Sequence, residues 1–287
     1  MLRHRLVSGT AMTAAFVFLV LLDAWLDGTL TSSPDARVRG TVLMVLATLL
    51  TVVGVREMAT LVRRVGGIAF GPVALSGAVA MATAWYWSRF TDDPAAFRSY
   101  YLPAVAVLST LAAFAYQAWR YGTKGVIVNC SATLFCVLYI GLLGGFVPAV
   151  RIDFGPGALL MFVFTVKSCD IGAYTAGRLW GRHKFSPTIS PGKTWEGLLG
   201  GIVLATITAV LFAALSGIMQ VHLGFVFGVV FAVLGQLGDL AESMLKRDAQ
   251  QKDSAQYVPG YGGVLDVMDS LLATAPVAYL FFALARA

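Results

Sequence analysis

The chain has 287 residues, of which 58% are apolar and only 13% are charged, whereas soluble proteins carry about 25% charged residues. A soluble enzyme could not cover its surface with so few polar groups, and a disordered chain would not hold so many apolar ones, so both classes are excluded. The formal net charge is +6, but the Lys and Arg residues are scattered between apolar runs. Nucleic-acid binding needs a basic stripe or patch and is therefore not expected.

The apolar runs predict an all-α polytopic membrane protein. A membrane-spanning helix needs about 20 mainly apolar residues, and we assign about nine such spans. In chain order they are 7–26, 40–55, 68–88, 101–119, 125–147, 156–177, 197–217, 221–241 and 263–285. The three cysteines lie within these runs, are odd in number and lack metal-ligand spacing, so we interpret them as small apolar residues.

The distribution of Lys and Arg predicts the orientation of the spans. If the N-terminus is cytoplasmic, fourteen of these residues fall in inner segments and six in outer segments. Because cytoplasmic segments carry the excess of positive charge, we expect a cytoplasmic N-terminus and an external C-terminus. We divide the chain into an N-terminal transmembrane region, 1–150, with about five spans, and a C-terminal catalytic region, 151–287. The latter has cytoplasmic loops at 178–196 and 242–262.

The sixth span contains two charged residues. Lys167 and Asp170 are three residues apart inside an apolar helix, and Tyr174 follows Asp170 by four. Polar groups at membrane depth mark a substrate or ion pathway, but an internal ion pair that bridges two helices is an equally good interpretation. Both interpretations stay open at this point.

The loop that follows contains a phosphate-binding candidate. Ser190-Pro191 is typical of a helix start, with Ser as N-cap and Pro in the first helical position. The next residues, Gly192-Lys193-Thr194, resemble part of a P-loop, but Pro187 stands where the first glycine is required and no strand precedes it. We therefore predict that Ser190 and Lys193 contact phosphate at a helix start that is not a P-loop.

The segment 239–269 holds six of the 15 acidic residues. Asp239 still lies within an apolar helix, where an ionised carboxylate is costly unless it is paired or binds a metal. Ser243 and Lys246 or Arg247 follow at spacings that place them on the same helix face as Asp239. This face is predicted to reach the cytoplasmic end of the helix.

A glycine-rich turn, 259–263, then opens the ninth helix. Its free backbone N–H groups, including those of Gly262 and Gly263, predict an anion site suited to phosphate. Asp266 and Asp269, three residues apart, lie just beyond it on one helix face. Carboxylates repel a nearby phosphate unless a divalent cation lies between them, and Mg²⁺ takes one or two carboxylates together with phosphate oxygens. The segment therefore predicts a site for Mg²⁺ and phosphate.

The segment 243–269 resembles the signature of the phosphatidate cytidylyltransferases, the CDP-diacylglycerol synthases. That signature has a Ser, a Lys-Arg pair, a Lys-Asp pair, Pro-Gly-His-Gly-Gly and Asp-Arg-x-Asp. At the same spacing this chain has Ser243, Lys246-Arg247, Lys252-Asp253, Pro259-Gly260-Tyr261-Gly262-Gly263 and Asp266-Val267-Met268-Asp269. The stretches 170–174 and 190–197 are also similar to the family. Tyr261 replaces the usual His, Val267 the usual Arg and Gly192 a common Lys, while the acidic and glycine positions are intact.

The resemblance implies a reaction of CTP with phosphatidate that gives CDP-diacylglycerol and pyrophosphate. It implies a multi-pass protein of the plasma or inner membrane whose active site faces the cytoplasm. Asp239 and Asp266 are then the ligands of Mg²⁺, with a second cation left open. Ser243, Lys246 and Arg247 complete the implied catalytic set. The implied substrate-binding residues are Lys167, Asp170, Ser190, Lys193, Lys252, Asp253, Gly262, Gly263 and Asp269, of which Lys252 and Asp253 position the nucleotide.

The expected partners are CTP, phosphatidate and membrane lipid, with no nucleic acid and with a homodimer left open. Two other functions are considered. A CTP-dependent polyprenol or lipid kinase would use the same parts but transfer the γ-phosphoryl group, and the long signature with two Asp residues favours the cytidylyltransferase. A membrane transporter would be expected to have an inverted repeat and broken helices with charge at the midplane, whereas the charge here gathers at one end of the helices.

Overall fold

The computed structural model of the chain describes residues 2–30, 38–257 and 262–286. All regular elements in these residues are helices, joined by short loops, and there is no β-strand among them. The elements are α1 (Leu2–Leu26), α2 (Thr41–Arg64), α3 (Gly71–Ala82), α4 (Ala84–Ser88), α5 (Pro94–Arg120), α6 (Val126–Phe135), a π-helix (Cys136–Leu142), α7 (Leu143–Phe154), α8 (Pro156–Trp180), α9 (Trp195–Ser216), α10 (Val221–Asp248) and α11 (Val264–Arg286).

Eight helical spans in the described residues are long and apolar enough to cross a membrane, one of them the continuous run of α6, the π-helix and α7, which confirms an all-α polytopic membrane protein. The third predicted span, 68–88, is instead two short helices, α3 and α4, that break at Thr83, where the backbone leaves the helical region at φ −99° and ψ 1°. The predicted count of nine spans includes this broken segment and stays a prediction. The second predicted span ended at 55, whereas α2 continues to Arg64.

Two boundaries near the predicted site differ from those expected. α10 continues to Asp248, so the second loop begins at 249, and residues 242–248 are helical. The predicted helix start at Ser190 is wrong, because α9 begins at Trp195. Thr194 is its N-cap, with Oγ1 accepting a hydrogen bond from Gly197 N at 3.1 Å. Lys193 therefore lies just outside the helix.

Helices α8, α9 and α10 pack closely because small residues face one another. A Cβ atom added at Gly172 of α8 would lie 2.5 Å from the carbonyl oxygen of Gly200 on α9. One added at Gly228 of α10 would lie 2.4 Å from the Cα atom of Thr206 on α9. Neither backbone atom can move aside, so only glycine allows this approach. The result is that the loop joining α8 to α9 lies next to the end of α10.

Helix α11 packs along α10 beside Asp239. A Cβ atom at Gly238 would lie 2.7 Å from that of Ala273 and 3.1 Å from the carbonyl oxygen of Asp269. An apolar cluster on the other side of α11 joins it to the N-terminal helices. Its members include residues of α2, the π-helix and α11: Val55, Met58, Ile140, Leu265 and Leu272. The N-terminal region is thus packed directly against the helix that carries Asp266 and Asp269.

A buried ion cluster holds the opposite end of the bundle. Arg151 of α7 is completely buried, with Nε 3.0 Å from Asp23 Oδ2 and Nη2 2.8 Å from Asp27 Oδ2. Both aspartates belong to the end of α1 or directly follow it. The last helix, α11, ends nearby, where Arg286 donates to the carbonyl oxygens of Asp153 and Phe154. The predicted site residues lie at the other end of α11, where that helix begins.

Candidate active site

Lys193 and Asp239 meet where the loop before α9 reaches α10. Lys193 Nζ lies 2.9 Å from Asp239 Oδ2 and donates to the carbonyl oxygen of Gln236 at 3.1 Å. One turn further along α10, Ser243 Oγ donates to Asp239 Oδ1 at 3.3 Å. The Asp239 side chain is 31% exposed and that of Lys193 12%. Residues from two separate predicted motifs are therefore in contact, with Asp239 and Lys193 partly exposed and Ser243 buried beneath them.

Lys167 extends this site into the bundle. Its Nζ lies 3.3 Å from Asp170 Oδ2 and donates to the carbonyl oxygen of Val267 at 2.9 Å and to Ser270 Oγ at 3.1 Å. The ion pair lies within α8, and the hydrogen bonds of Lys167 connect it to α11, which agrees in part with the interpretation of a pair that bridges two helices. The Lys167 and Asp170 side chains are nevertheless 33% and 35% exposed, so the pair is accessible from outside the helices. The structural interpretation does not exclude a substrate-binding role.

Asp269 completes a group of three carboxylates on α8, α10 and α11. It is buried, and its Oδ1 accepts a hydrogen bond from Ser270 N. Its charge interacts with those of Asp170 and Asp239, and Lys167 counters part of this repulsion. The close packing of α10 on α11 therefore concentrates negative charge around Lys167 and Lys193.

Lys246 and Asp266 form a second ion pair one helical turn from Ser243. Lys246 Nζ contacts both Glu242 Oε2 on its own helix and Asp266 Oδ1. The other oxygen of Asp266, Oδ2, accepts hydrogen bonds from Ser254 N at 2.8 Å, Ser254 Oγ at 2.8 Å and Gly263 N at 2.7 Å. Both carboxylate oxygens of Asp266 therefore already contact donors of the protein itself, and its role as a metal ligand stays a prediction.

The first N–H groups of α11 differ from the predicted phosphate cradle. Gly263 N donates to Asp266, while Val264 N and Leu265 N donate to the carboxylate of Glu57 at 2.8 and 2.9 Å. Protein carboxylates thus occupy the positions at which a phosphate was expected. A phosphate bound here would first have to displace them, so the geometry favours the lysines as phosphate contacts.

Gly262 is required by the approach of a carboxylate. Its φ is +94°, a conformation that side-chain-bearing residues rarely adopt, and a Cβ atom would lie 2.5 Å from Asp266 Oδ2. The predictions made for Gly260 and Tyr261 lie outside the described residues. The backbone conformation and the nearby Asp266 therefore explain the glycine at 262, where the neighbouring anion is Asp266 and not the phosphate that was predicted.

Arg247 and Ser190 lie at the rim of the site. Arg247 Nε donates to the carbonyl oxygen of Ile189 at 3.2 Å, and its Nη1 donates to that of Gln251 at 3.0 Å. Ser190 is in the turn that Arg247 holds, where its own N–H donates to the carbonyl oxygen of Ser186 at 2.9 Å. Arg247 thus ties the two loops of the site together.

Lys252 and Asp253 are exposed and lie on the other side of Asp266. They line a cavity of about 380 Å³ between the end of α2 and the segment after α10. The lining residues are Glu57, Thr60, Arg64 and residues 251–257. The structure therefore separates the predicted nucleotide-positioning pair from the cluster at Lys193 and Asp239, with Asp266 and Lys246 between the two.

The model of the cytidylyltransferase family matches residues 4–285, nearly the whole chain. The chain belongs to this family. It is similar to a phosphatidate cytidylyltransferase of Bacillus subtilis, 33% identical over 221 residues that cover 74% of this chain and 80% of the relative.

Two further phosphatidate cytidylyltransferases match a shorter part. That of Haemophilus influenzae is 44% identical over 131 residues, which cover 43% of this chain and 46% of the relative. That of Mycobacterium bovis is 35% identical over 157 residues, which cover 54% of this chain and 51% of the relative. The chain thus spans about half the length of these two relatives.

Glu57 contacts this region but is not among the residues predicted from the sequence. It comes from α2, is only 2% exposed, and reaches the start of α11. The signal that singled out Asp239, a carboxylate inside an apolar helix, was also present here. It was overlooked because the predicted second span ended at 55, two residues before Glu57.

Carboxylates outnumber lysines in this region of the described structure. Three lysines, Lys167, Lys193 and Lys246, lie among five carboxylates, those of Asp170, Asp239, Glu242, Asp266 and Asp269. Excess negative charge is costly at membrane depth, and carboxylate oxygens are the ligands that Mg²⁺ prefers. No group of three metal-ligating side chains is preassembled among the described residues. The donor set thus fits a cation that takes its remaining oxygens from outside the protein.

Proposed function

We propose that this protein is an integral membrane phosphatidate cytidylyltransferase, which converts CTP and phosphatidate to CDP-diacylglycerol and pyrophosphate. The observation that carries the proposal is the accessible cluster of Lys193, Asp239, Lys167 and Asp170 at one end of an otherwise apolar bundle. Both substrates carry phosphates, and one of them is a lipid. A charged cluster at one end of an apolar bundle is where such substrates could meet. The relatives named above also support this reaction.

In this reaction an oxygen of the phosphatidate phosphate attacks the α-phosphorus of CTP. The bond from that phosphorus to the oxygen bridging the α- and β-phosphates breaks, and pyrophosphate leaves with the electron pair. Both reactants are polyanions, so much of the barrier is charge repulsion, and positioning and charge neutralisation lower it. A phosphate monoester is already a nucleophile, so the protein need not supply a base.

The ion pairs of the site suggest how the lysines act. Lys193 is paired with Asp239 and Lys167 with Asp170. Phosphate oxygens can replace the aspartates as partners of these lysines, because a charge-assisted bond to phosphate has the same geometry. Exchange of partners would hold the substrate phosphates at this cluster and free Asp239 and Asp170 for a cation.

Mg²⁺ would be held by Asp239 with its neighbours Asp170 and Asp269. When bound, it would neutralise charge on the reacting phosphates and on the leaving pyrophosphate. Asp266 would contribute only if Lys246 released its Oδ1. Lys252 and Asp253 would position the nucleoside of CTP in the cavity beside α2.

The proposed location is the plasma or inner membrane, with the site facing the cytoplasm, as expected from the charge count.

The broken segment α3–α4 supports nine crossings. Phe70 N, at its start, donates a hydrogen bond to Thr133 Oγ1. Ser88 Oγ, at its end, accepts a hydrogen bond from Arg98. Arg98 lies 4.0 Å from Asp153, which is at the end of the bundle opposite the charged site. The test is a Gln250→Cys variant lacking the three native cysteines. Rapid labelling in intact cells by an impermeant reagent would contradict the orientation.

The reaction is tested with purified protein, phosphatidate, Mg²⁺, and CTP that is labelled in either the α- or the γ-phosphate. Cytidylyl transfer places the α-label in lipid and leaves the γ-label in pyrophosphate. Label from γ-CTP in the lipid would show a kinase, and no lipid label from either would contradict both enzyme proposals. Asp239→Asn, assayed alongside, should abolish the signal and excludes a contaminating activity.

A further inference from the structure

Glu57 connects the N-terminal helices to the start of α11. Its Oε1 accepts a hydrogen bond from Val264 N at 2.8 Å, and its Oε2 accepts one from Leu265 N at 2.9 Å. Ser254 Oγ also lies within hydrogen-bond distance of Oε2, at 2.9 Å. One buried carboxylate on α2 thus receives donors from two segments about 200 residues later in the chain.

This carboxylate acts as the N-cap of α11. The first N–H groups of a helix have no partner within it, and a negative charge at that end also interacts favourably with the helix dipole. The cap normally comes from the residue just before the helix, whereas here a different helix supplies it. The position of the first turn of α11 therefore depends on α2.

The position of Gly263 shows that Glu57 and Ser254 pack tightly against the start of α11. A Cβ atom at this position would lie 2.6 and 2.7 Å from the two carboxylate oxygens of Glu57 and 2.1 Å from Ser254 Oγ. Only glycine lets the three groups approach one another. The glycine of the motif is thus explained by Glu57 and Ser254 independently of the hydrogen bonds.

Ser254 links Glu57 to the charged site. Its Oγ is 2.9 Å from Glu57 and 2.8 Å from Asp266 Oδ2, and it can donate its one proton to either carboxylate. Asp266 in turn holds Lys246 through its other oxygen. Glu57, Ser254, Asp266 and Lys246 therefore form a continuous chain of contacts from α2 to α10.

We propose that Glu57 is a positioning residue of the reaction. By fixing the first turn of α11 and the hydroxyl of Ser254, it sets the position of Asp266 and, through it, of Lys246. Glu57 touches no reacting atom and acts through these groups. The N-terminal region would thus take part in catalysis by setting the geometry of the site. The inference rests on the proposed cytidylyltransferase activity.

The experiment compares Glu57→Gln with Asp153→Asn in the full-length protein. Both replace a carboxylate that accepts a hydrogen bond from α11, since Asp153 Oδ2 accepts from Tyr279 at 2.6 Å, but Asp153 lies at the far end of that helix. Glu57→Gln puts an amide N–H₂ against one of the backbone donors. We expect its kcat to fall about 30-fold, the scale of one hydrogen bond to a charged group, with KM for phosphatidate changed less than about threefold. Asp153→Asn should keep the wild-type kcat.

A second readout does not depend on activity. In protein without metal or substrate, hydrogen exchange at Val264 and Leu265 should accelerate in Glu57→Gln and stay unchanged in Asp153→Asn. Ser254→Ala leaves Glu57 in place and should also lower kcat, and the double variant should be no worse than Glu57→Gln alone. Should Glu57→Gln not fold, Ser254→Ala still tests the chain of contacts.

The outcomes separate this proposal from the proposed function. Faster exchange at 264–265 with a wild-type kcat would make Glu57 a structural cap only and overturn the positioning role. Equal losses of kcat in Glu57→Gln and Asp153→Asn would also overturn it, because general destabilisation of α11 would then explain both. A wild-type protein that makes no CDP-diacylglycerol overturns the proposed function, while the exchange data still report whether Glu57 caps α11.

Discussion

Two clusters of charged side chains lie at opposite ends of the same apolar bundle, and they differ in access. The cluster around Arg151, Asp23 and Asp27 is sealed, with each side chain at most 1% exposed. The cluster around Lys193, Asp239 and Lys167 is open, with each side chain between 12% and 33% exposed. Both clusters pair aspartates with basic side chains, arginine in the sealed one and lysine in the open one, at N–O distances of 2.8 to 3.3 Å. Access, and not the presence of buried charge, therefore distinguishes a site from a structural contact.

The sealed cluster uses its polar atoms to hold helices together. Asp23 also accepts hydrogen bonds from Gly40 N at 3.1 Å and Val42 N at 2.9 Å, and so fixes the start of α2. Burial acts to raise the pKa of Asp27, but hydrogen bonds from Thr29 and Arg151 outweigh it and leave that pKa below its ordinary value. The charges thus stabilise the contact between α1, α2 and α7 and have no free side toward a ligand.

The largest effect is expected from Asp239→Asn in the open cluster. Loss of this carboxylate removes the proposed cation ligand and should reduce turnover about a thousandfold or more, about 4 kcal/mol at ~1.36 kcal/mol per decade. The thermal midpoint should change little, because the side chain is partly exposed. Initial rates at saturating Mg²⁺ measure this. Asp248→Asn, exposed at the end of the same helix, is the control and should keep full activity.

An Asp239→Asn variant that retained a third of the wild-type rate would remove Asp239 from the reaction. A variant that lost stability and activity in proportion would instead make the open cluster resemble the sealed one. Either result would break the comparison between the two ends of the bundle.

The converse result is expected from Arg151→Met in the sealed cluster. This change leaves Asp23 and Asp27 buried without their counter-charge, which costs about 3–5 kcal/mol of folding free energy. The turnover of the molecules that remain folded should be unchanged. Thermal unfolding in detergent, with rates normalised to folded protein, measures both. Arg39→Met is the control, because Arg39 is a third exposed and lies 3.7 Å from Asp27, so its loss should cost less than about 1 kcal/mol. A wild-type unfolding midpoint for Arg151→Met would contradict the structural role.

Lys193→Met sharpens the assignment of the open cluster. The variant keeps much of the side-chain volume but loses the charge that we assign to substrate phosphate, and kcat/KM for CTP should fall about 100-fold, the scale of a charged hydrogen bond. Lys184→Met, exposed in the same loop, is the matched control and should fall less than threefold. If the two lysine variants lost activity equally, the general positive charge of the loop would matter and not the contact with Asp239.

The sequence was sufficient for the parts of this site that depend on local pattern. Asp239, Ser243 and Lys246 could be placed together because helical spacing puts them on one face, and Lys193 was singled out because it follows Ser190-Pro191, which was predicted to start a helix. The contact between Lys193 and Asp239, by contrast, depends on small residues that let α8, α9 and α10 approach. Neither spacing nor composition reports such an approach across 46 residues.

Glu57 and the start of α11 show the other limit. The glycine-rich turn was predicted to bring backbone N–H groups to a phosphate, whereas the described N–H groups at the start of α11 donate to Asp266 and Glu57. A helix N-terminus attracts any negative charge, and only the fold decides whether a ligand or a side chain supplies it. The helix start at Ser190 failed for a related reason, since Thr194 offered a competing cap four residues later.

The smallest effect is expected from Thr194→Ala, which tests whether the loop cap helps to position the open cluster. Thr194 Oγ1 accepts from Gly197 N and is buried close to Gly177 and Gly181. Loss of the hydroxyl should lower the free energy of unfolding by about 1 kcal/mol, the usual value of an N-cap, and reduce kcat/KM by about threefold because Lys193 is the adjacent residue. Thr194→Ser keeps the accepting oxygen and should behave as the wild type in both measurements. If the alanine variant lost stability but kept its full activity, then the contacts of Lys193 with Asp239 and Gln236 would be enough to hold it without the cap.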